Sequence, residues 1–159
     1  MKNEQLRKLL ASFVDFQIIR DDYIAKKPNE FAIMHTIFLT KNSISGSRVI
    51  KNDEEKITEQ TSRLVSAYFQ IDCIARTQAR SEEMANKLYD VIVFEKRDEL
   101  IKNGFGLQSE SIQIADRTFL EGSQYIYRFG FDVEISWREI SERERILIKD
   151  IDYKIKEEN

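Results

Sequence analysis

Three observations predict an α+β fold: a largely antiparallel β-sheet with helices packed on one face and long strands extending toward subunit interfaces. The first is the stretch from Tyr125 to Trp137, where Tyr125, Tyr127, Phe129, Phe131, Val133, Ile135 and Trp137 alternate with Ile126, Arg128, Gly130, Asp132, Glu134 and Ser136. Successive side chains of a strand point to opposite faces, so this is one strand with an apolar and a polar face. At ~3.3 Å per residue it reaches ~40 Å, more than a single small core uses. The second is a similar alternation from Arg63 to Arg76, with Val65, Ala67, Phe69, Ile71, Cys73 and Ala75 on one face. The third is the order of elements, in which helical periodicity occurs at two points between strands that are mostly consecutive.

Leu6, Leu9, Leu10, Phe13 and Phe16 recur at spacings of three and four, which predicts an amphipathic helix over residues 3–19. Pro28, the only proline, breaks the chain before Phe31–Thr40, a segment apolar on both faces that reads as a strand buried on two sides. Lys41–Lys56 is polar and turn-rich, a mobile loop or ragged hairpin. After the second strand, Thr77 is placed to cap a helix whose stripe is Met84, Ala85, Leu88, Val91 and Ile92. That helix continues through Phe94 towards Ile101 and stops at Asn103-Gly104. Ser111–Ala115 reads as a short strand and Asp116–Gly122 as the turn into the long one. Arg138–Arg145 reads as a charged connection. Ile146, Ile148, Ile151, Tyr153 and Ile155 then suggest an edge strand with a bulge near Lys149-Asp150. No repeat or linker interrupts the 159 residues, so a single domain is expected over 1–159.

Composition narrows the function. A net charge of −3, with Lys and Arg interleaved among Asp and Glu, leaves no basic footprint for sequence-specific nucleic acid binding or for an anionic membrane. No apolar run approaches the ~20 residues of a membrane helix. The N-terminus lacks the apolar segment of a signal peptide, and one cysteine, Cys73, excludes an intrachain disulfide. A cytoplasmic site of synthesis is expected.

Residues with catalytic potential are few. His35 is the only histidine, and with one distant cysteine it cannot complete a zinc site. It reads as a structural histidine, and Cys73, inside an apolar alternation, as a small buried hydrophobe. A Cys73–His35 nucleophile pair would need contact that the sequence does not indicate. Asp132 and Glu134 share one face of the long strand and could form an acid/base pair, but equally an ion-pairing interface. Gly104-Phe105-Gly106 ends a helix rather than opening one, so it is no phosphate loop. Neither cofactor nor metal is expected, and the reading is a non-enzymatic, self-associating protein.

Two stretches together carry a resemblance. Phe69-Gln70-Ile71-Asp72-Cys73-Ile74-Ala75-Arg76, followed by a helix with Ala79, Ala85 and Leu88, is the first. Tyr125-Ile126-Tyr127-Arg128-Phe129-Gly130-Phe131-Asp132-Val133-Glu134-Ile135 is the second. In order and spacing they resemble the neck or tail terminator proteins of tailed bacteriophages, which carry a Q-x-D-C/F-x-G/A strand before a helix and a late Y-x-x-R-x-x-F-D-V strand. The likeness spans roughly residues 30–156. This chain differs in having Ile74-Ala75 where small residues or a glycine are common, and in its N-terminal helix.

The resemblance implies a virion protein of a phage or prophage, assembled in the host cytoplasm into a hexameric ring. Its implied partners are further copies of itself, the tail tube protein and the head-side connector or stopper. The implied action is to cap the head-proximal end of the tube and stop its growth. A ring uses different patches on its two sides, and the long strand and the C-terminal edge strand are the two candidates. Arg128, Asp132 and Glu134 on the polar face of the long strand are candidate contacts. So are Val49 and Ile50, an apolar pair framed by Arg48 and Lys51. The alternatives are another neck or head-tail adaptor component, or a small cytoplasmic ligand-binding protein or enzyme.

Overall fold

A computed structural model describes residues 2–23, 25–52 and 56–146, with the backbone alone at positions 51, 52 and 146. The elements are α1 (Lys2–Ala11), β1 (Gln17–Arg20), β2 (Phe31–Lys41), β3 (Gly46–Asn52), β4 (Lys56–Ala75) and α2 (Gln78–Asp90). They continue as a π-helical turn (Val91–Glu95), α3 (Arg97–Lys102), β5 (Phe105–Leu107), β6 (Ala115–Asp116), β7 (Phe119–Glu121) and β8 (Gln124–Ile146). The sheet runs β1-β2-β4-β8-β5, with β3 beside β4 and with β6 and β7 beside β8. β1 is parallel to β2, whereas β2 and β3 pair antiparallel to β4, and β5, β6 and β7 antiparallel to β8. The fold is therefore α+β with a mostly antiparallel sheet, as the alternating strands imply. Contacts divide it into two compact units: Met1–Lys41 with Val65–Trp137, and Asn42–Leu64 with Arg138–Asn159.

The first unit holds the core. Val65, Ala67, Phe69, Ile71 and Cys73 of β4 and Phe131, Val133 and Ile135 of β8 are fully buried or nearly so. They face Leu6 and Leu10 of α1, Met84, Ala85 and Leu88 of α2, Val91 and Ile92 of the π turn, and Leu100 of α3 in one apolar cluster. The predicted alternations thus point their apolar faces at the helices.

α1 ends at Ala11 rather than at residue 19. The Ser12 hydroxyl donates to the Leu9 carbonyl at 2.7 Å, and the Ser12 amide is shared between the Lys8 and Leu9 carbonyls. A serine that bonds local backbone in this way competes with helix continuation. Beyond it, Ile18 and Ile19 are both buried on β1. Adjacent β-branched residues suit a strand better than a helix.

β2 also departs from expectation, because it is buried only at its start. Phe31, Ala32 and Met34 are buried, but Ile37, Phe38 and Leu39 are 41–53% exposed. α1 reaches β2 at Thr36, where Asn3 hydrogen-bonds its hydroxyl, and the register shifts between Thr36 and Phe38. Past that bulge Phe38 stacks on Tyr68, with 5.2 Å between ring centres.

Thr77 caps α2 as its position implies, accepting from the Arg80 amide at 3.2 Å. The helix does not run unbroken to Ile101. The run Val91-Ile92-Val93-Phe94 is rich in β-branched side chains and takes π geometry, with the Lys96 amide bonded to the Val91 carbonyl. This turn buries Val91 and Ile92 and leaves Phe94 83% exposed. α3 then stops before Gly104, whose φ of 84° is the left-handed conformation of a helix C-cap. The strand expected over Ser111–Ala115 is confined to β6, at Ala115 and Asp116.

In the second unit, Lys41–Lys56 contains a strand: β3 pairs with β4 from Gly46↔Ser62 to Asn52↔Ile57. Of the two readings, loop or ragged hairpin, the hairpin is the one observed, and its raggedness is a register shift between Val49 and Lys51. Arg138–Arg145 is not a connection but the outer part of β8, which runs 23 residues without a break. The edge strand expected beyond Ile146, with its bulge near Lys149-Asp150, lies outside the described residues.

Candidate functional site

Two polar constellations stand out, one in each unit. In the first unit Asp72 sits on the face of β4 opposite the apolar cluster, yet it is only 2% exposed. Its carboxylate accepts from Arg117 at 2.9 Å and from Arg128. Arg117 also donates to Asp132 at 3.0 Å, so one guanidinium joins the two carboxylates. Gly130 makes this closeness possible: a Cβ there would lie 2.2 Å from Asp72 Oδ1 and 2.4 Å from the Ile71 carbonyl oxygen. Glycine within a strand often marks such an approach. The segment that carries Arg117 is fixed by backbone contacts. The Arg117 amide bonds the Arg128 carbonyl at 2.7 Å, and the Arg128 amide bonds Thr118 Oγ1 at 3.2 Å.

Arg128 and Asp132 are thus brought together, but as members of a partly buried ion-pair network rather than as a free charged surface. Glu134 stands apart from it. Its amide donates to Ser109 Oγ at 2.8 Å and its carbonyl accepts from the Gln108 amide at 2.9 Å. An acid/base pair of Asp132 and Glu134 gains no support, because Asp132 is bound to Arg117. Asp72 and Arg117 were not singled out as site residues. Their signal in the sequence is faint: one acidic residue inside a strand otherwise rich in apolar side chains, and a glycine in the partner strand.

His35 is about half exposed and hydrogen-bonds Asp21 through Nδ1, beside a cavity of about 180 Å³ lined by Asn3, Arg7, Arg20 and Thr36. The imidazole of His35, through this hydrogen bond, lowers the Asp21 pKa. Cys73 is completely buried, and burial raises its thiol far above the ordinary range. His35 pairs with Gln70 and Cys73 with Ala32, so the two fall on opposite faces of the sheet and form no nucleophile pair. Among the described residues no group of His, Cys, Asp or Glu could hold a metal ion. None of the described helices is long and apolar enough to cross a membrane.

The second unit carries the other candidate contacts. Val49 is 57% and Ile50 43% exposed on β3, and Lys51 lies opposite Thr58 on the same strand. Arg48 Nε donates to Gln60 Oε1 at 2.9 Å, and Gln60 Nε2 donates to Glu142 Oε1 at 3.1 Å. Neighbouring charges pair across the strands: Arg143 and Arg145 with Glu59 at 2.8 and 2.9 Å, Arg63 with Glu139, and Lys56 with Glu144 at 3.6 Å. Gln60 and Glu142 escaped the sequence reading because nothing local marks them among so many polar residues.

Glu59 is the electrostatic centre of this unit. The hydrogen bond from Arg143, and then that from Ser47, lower its pKa from the ordinary 4.5 to about 2. A carboxylate depressed in the folded state contributes stability above its unfolded pKa and loses that contribution as pH falls through the folded one. The Glu59 ion pairs should therefore hold at neutral pH and weaken from about pH 4.5 down to about 2. Carboxyl-detected NMR titration should place Glu59 near 2, and Arg143→Gln should move it back towards 4.5.

In both units, then, polar side chains tie strands to one another, around Asp72 in the first and around Glu59 in the second. The family model described as phage neck terminator protein matches residues 4–159. The chain belongs to that family and so to the structural proteins of the bacteriophage neck. No curated protein matches it.

Proposed function

We propose that this chain is the subunit of a ring, a hexamer, that caps the head-proximal end of the tail tube, stops its growth and joins it to the head-side connector. Beside family membership, one observation carries this reading. β4 and β8 run 20 and 23 residues, far beyond the usual ~5–6 of a strand, and their parts in the second unit lie in a stretch of sheet that, among the described residues, adds nothing to the apolar cluster. That sheet has charged residues throughout, while Ile44, Val49, Ile50 and Ile140 are 43–58% exposed. Exposed apolar side chains within a charged frame are what a polar-rimmed protein interface uses. The β3 hairpin is proposed to order against a neighbouring subunit or the tube.

A terminator acts by occupying the growing end, so its loss frees that end to add subunits. A null lysate viewed by electron microscopy should contain full heads and unjoined tubes of abnormal length. Unjoined tubes of normal length would instead point to a stopper or adaptor, and normal joined particles would exclude a neck role.

A further inference from the structure

We propose that copies of this chain join edge to edge through the second unit, with β3 of one copy beside the outer part of β8 of the next and Arg48 meeting Glu142 across the seam. The inference rests on the ring reading above and names the contact that closes it.

Within this unit β4 lies between β3 and β8. Among the described residues no strand pairs with the other side of β3. The strands that flank β8 on its far side, β5, β6 and β7, reach no further along it than Trp137. Among the described residues both edges therefore present backbone groups ready to pair with another chain. Apolar side chains accompany both: Val49 and Ile50 on β3, and Ile140, 58% exposed, on β8.

One row of side chains crosses this sheet and says which edge fits which. Arg48 lies directly opposite Gln60 in the register and donates to its oxygen at 2.9 Å. The nitrogen of the same amide donates to Glu142 at 3.1 Å. The amide is thus oriented, oxygen toward the cation and nitrogen toward the anion. Among the described residues neither Arg48 nor Glu142 has an ion-pair partner, whereas Arg63, Arg143, Arg145 and Lys56 around them all do. The row ends in an arginine at one edge and a glutamate at the other, on one face and at one level.

A second copy set beside the first in the same orientation continues the row. Adjacent strands lie ~4.7–4.9 Å apart, which brings the next Arg48 within ion-pair reach of Glu142. A twofold contact between like edges would instead oppose Arg48 to Arg48 or Glu142 to Glu142. The charges therefore favour a head-to-tail contact, the kind that closes into a ring.

The test complements a null phage with full-length Arg48→Glu, Glu142→Arg and the double reversal, checking each purified chain for folding by circular dichroism. Each single reversal places like charges across the seam and should lower the yield of joined particles at least about tenfold, and the double reversal should restore it. As a second measurement, Arg48→Cys with Glu142→Cys should give a ladder of covalent multimers when assembled necks are oxidised. Cys73, fully buried, stays out of that reaction. Wild-type yields from both single reversals together with no ladder would overturn the seam and leave the ring standing. Necks holding a single copy or a twofold dimer would overturn the ring and the seam together.

Discussion

Asp72→Ala should cost about 3 kcal/mol of folding stability. Among the described residues Asp72 is the only carboxylate that both Arg117 and Arg128 reach. Without it two partly buried guanidinium groups lose their common partner, and among the described residues Arg128 already has a buried Nε with no hydrogen-bond acceptor. Breaking a buried ion pair costs roughly 3–5 kcal/mol because the remaining charge stays desolvated. Arg117 and Arg128 keep 24% and 30% of their side-chain surface in solvent, which places the loss at the low end of that range. Asp132→Ala should cost no more than about 1 kcal/mol, since Asp132 is 37% exposed and Arg117 retains Asp72. Urea unfolding of both variants measures the difference. Equal losses would mean that Asp72 is not the centre of the network.

Phe131→Ala should cost about 3–5 kcal/mol, the range for removing a large buried aromatic side chain. Phe131 has no solvent exposure and meets Tyr89 edge-on at 6.3 Å between ring centres, so truncation removes apolar burial, leaves a cavity and loses an aromatic contact. Tyr125→Ala, on the same face of the same strand but 63% exposed, should fall within about 0.5 kcal/mol. A loss at Phe131 as small as that at Tyr125 would show that the core does not close on β8.

The contrast between those residues also shows what the sequence made legible. Period-two alternation identified β4 and β8 wherever one face was buried, because burial selects apolar residues at every second position. It failed beyond Trp137, where Arg138–Ile146 belongs to a stretch of sheet with no helix-covered core among the described residues and alternation has no burial to record. There the strand is held by cross-strand charge pairs such as Arg143 with Glu59, and a charged strand reads like a charged loop. Thr77 and Gly104 were legible because cap chemistry is local. The end of α1 was not, since Phe13 and Phe16 continue the helical spacing while Ser12 and the Ile18-Ile19 pair turn the chain into β1. The network around Asp72 was hidden for a related reason: Arg117, Arg128 and Asp132 look like solvent-facing charges until β4 and β8 are known to be neighbours.

The central claim is that this chain forms the ring that ends the tail tube. Symmetry-free averaging of the neck in intact particles, with the chain located by a fused tag, tests it most directly. Six copies in one closed ring at the head-proximal end of the tube is the expected result. A strict monomer or a twofold dimer at that position, or the tag found elsewhere in the particle, would contradict it.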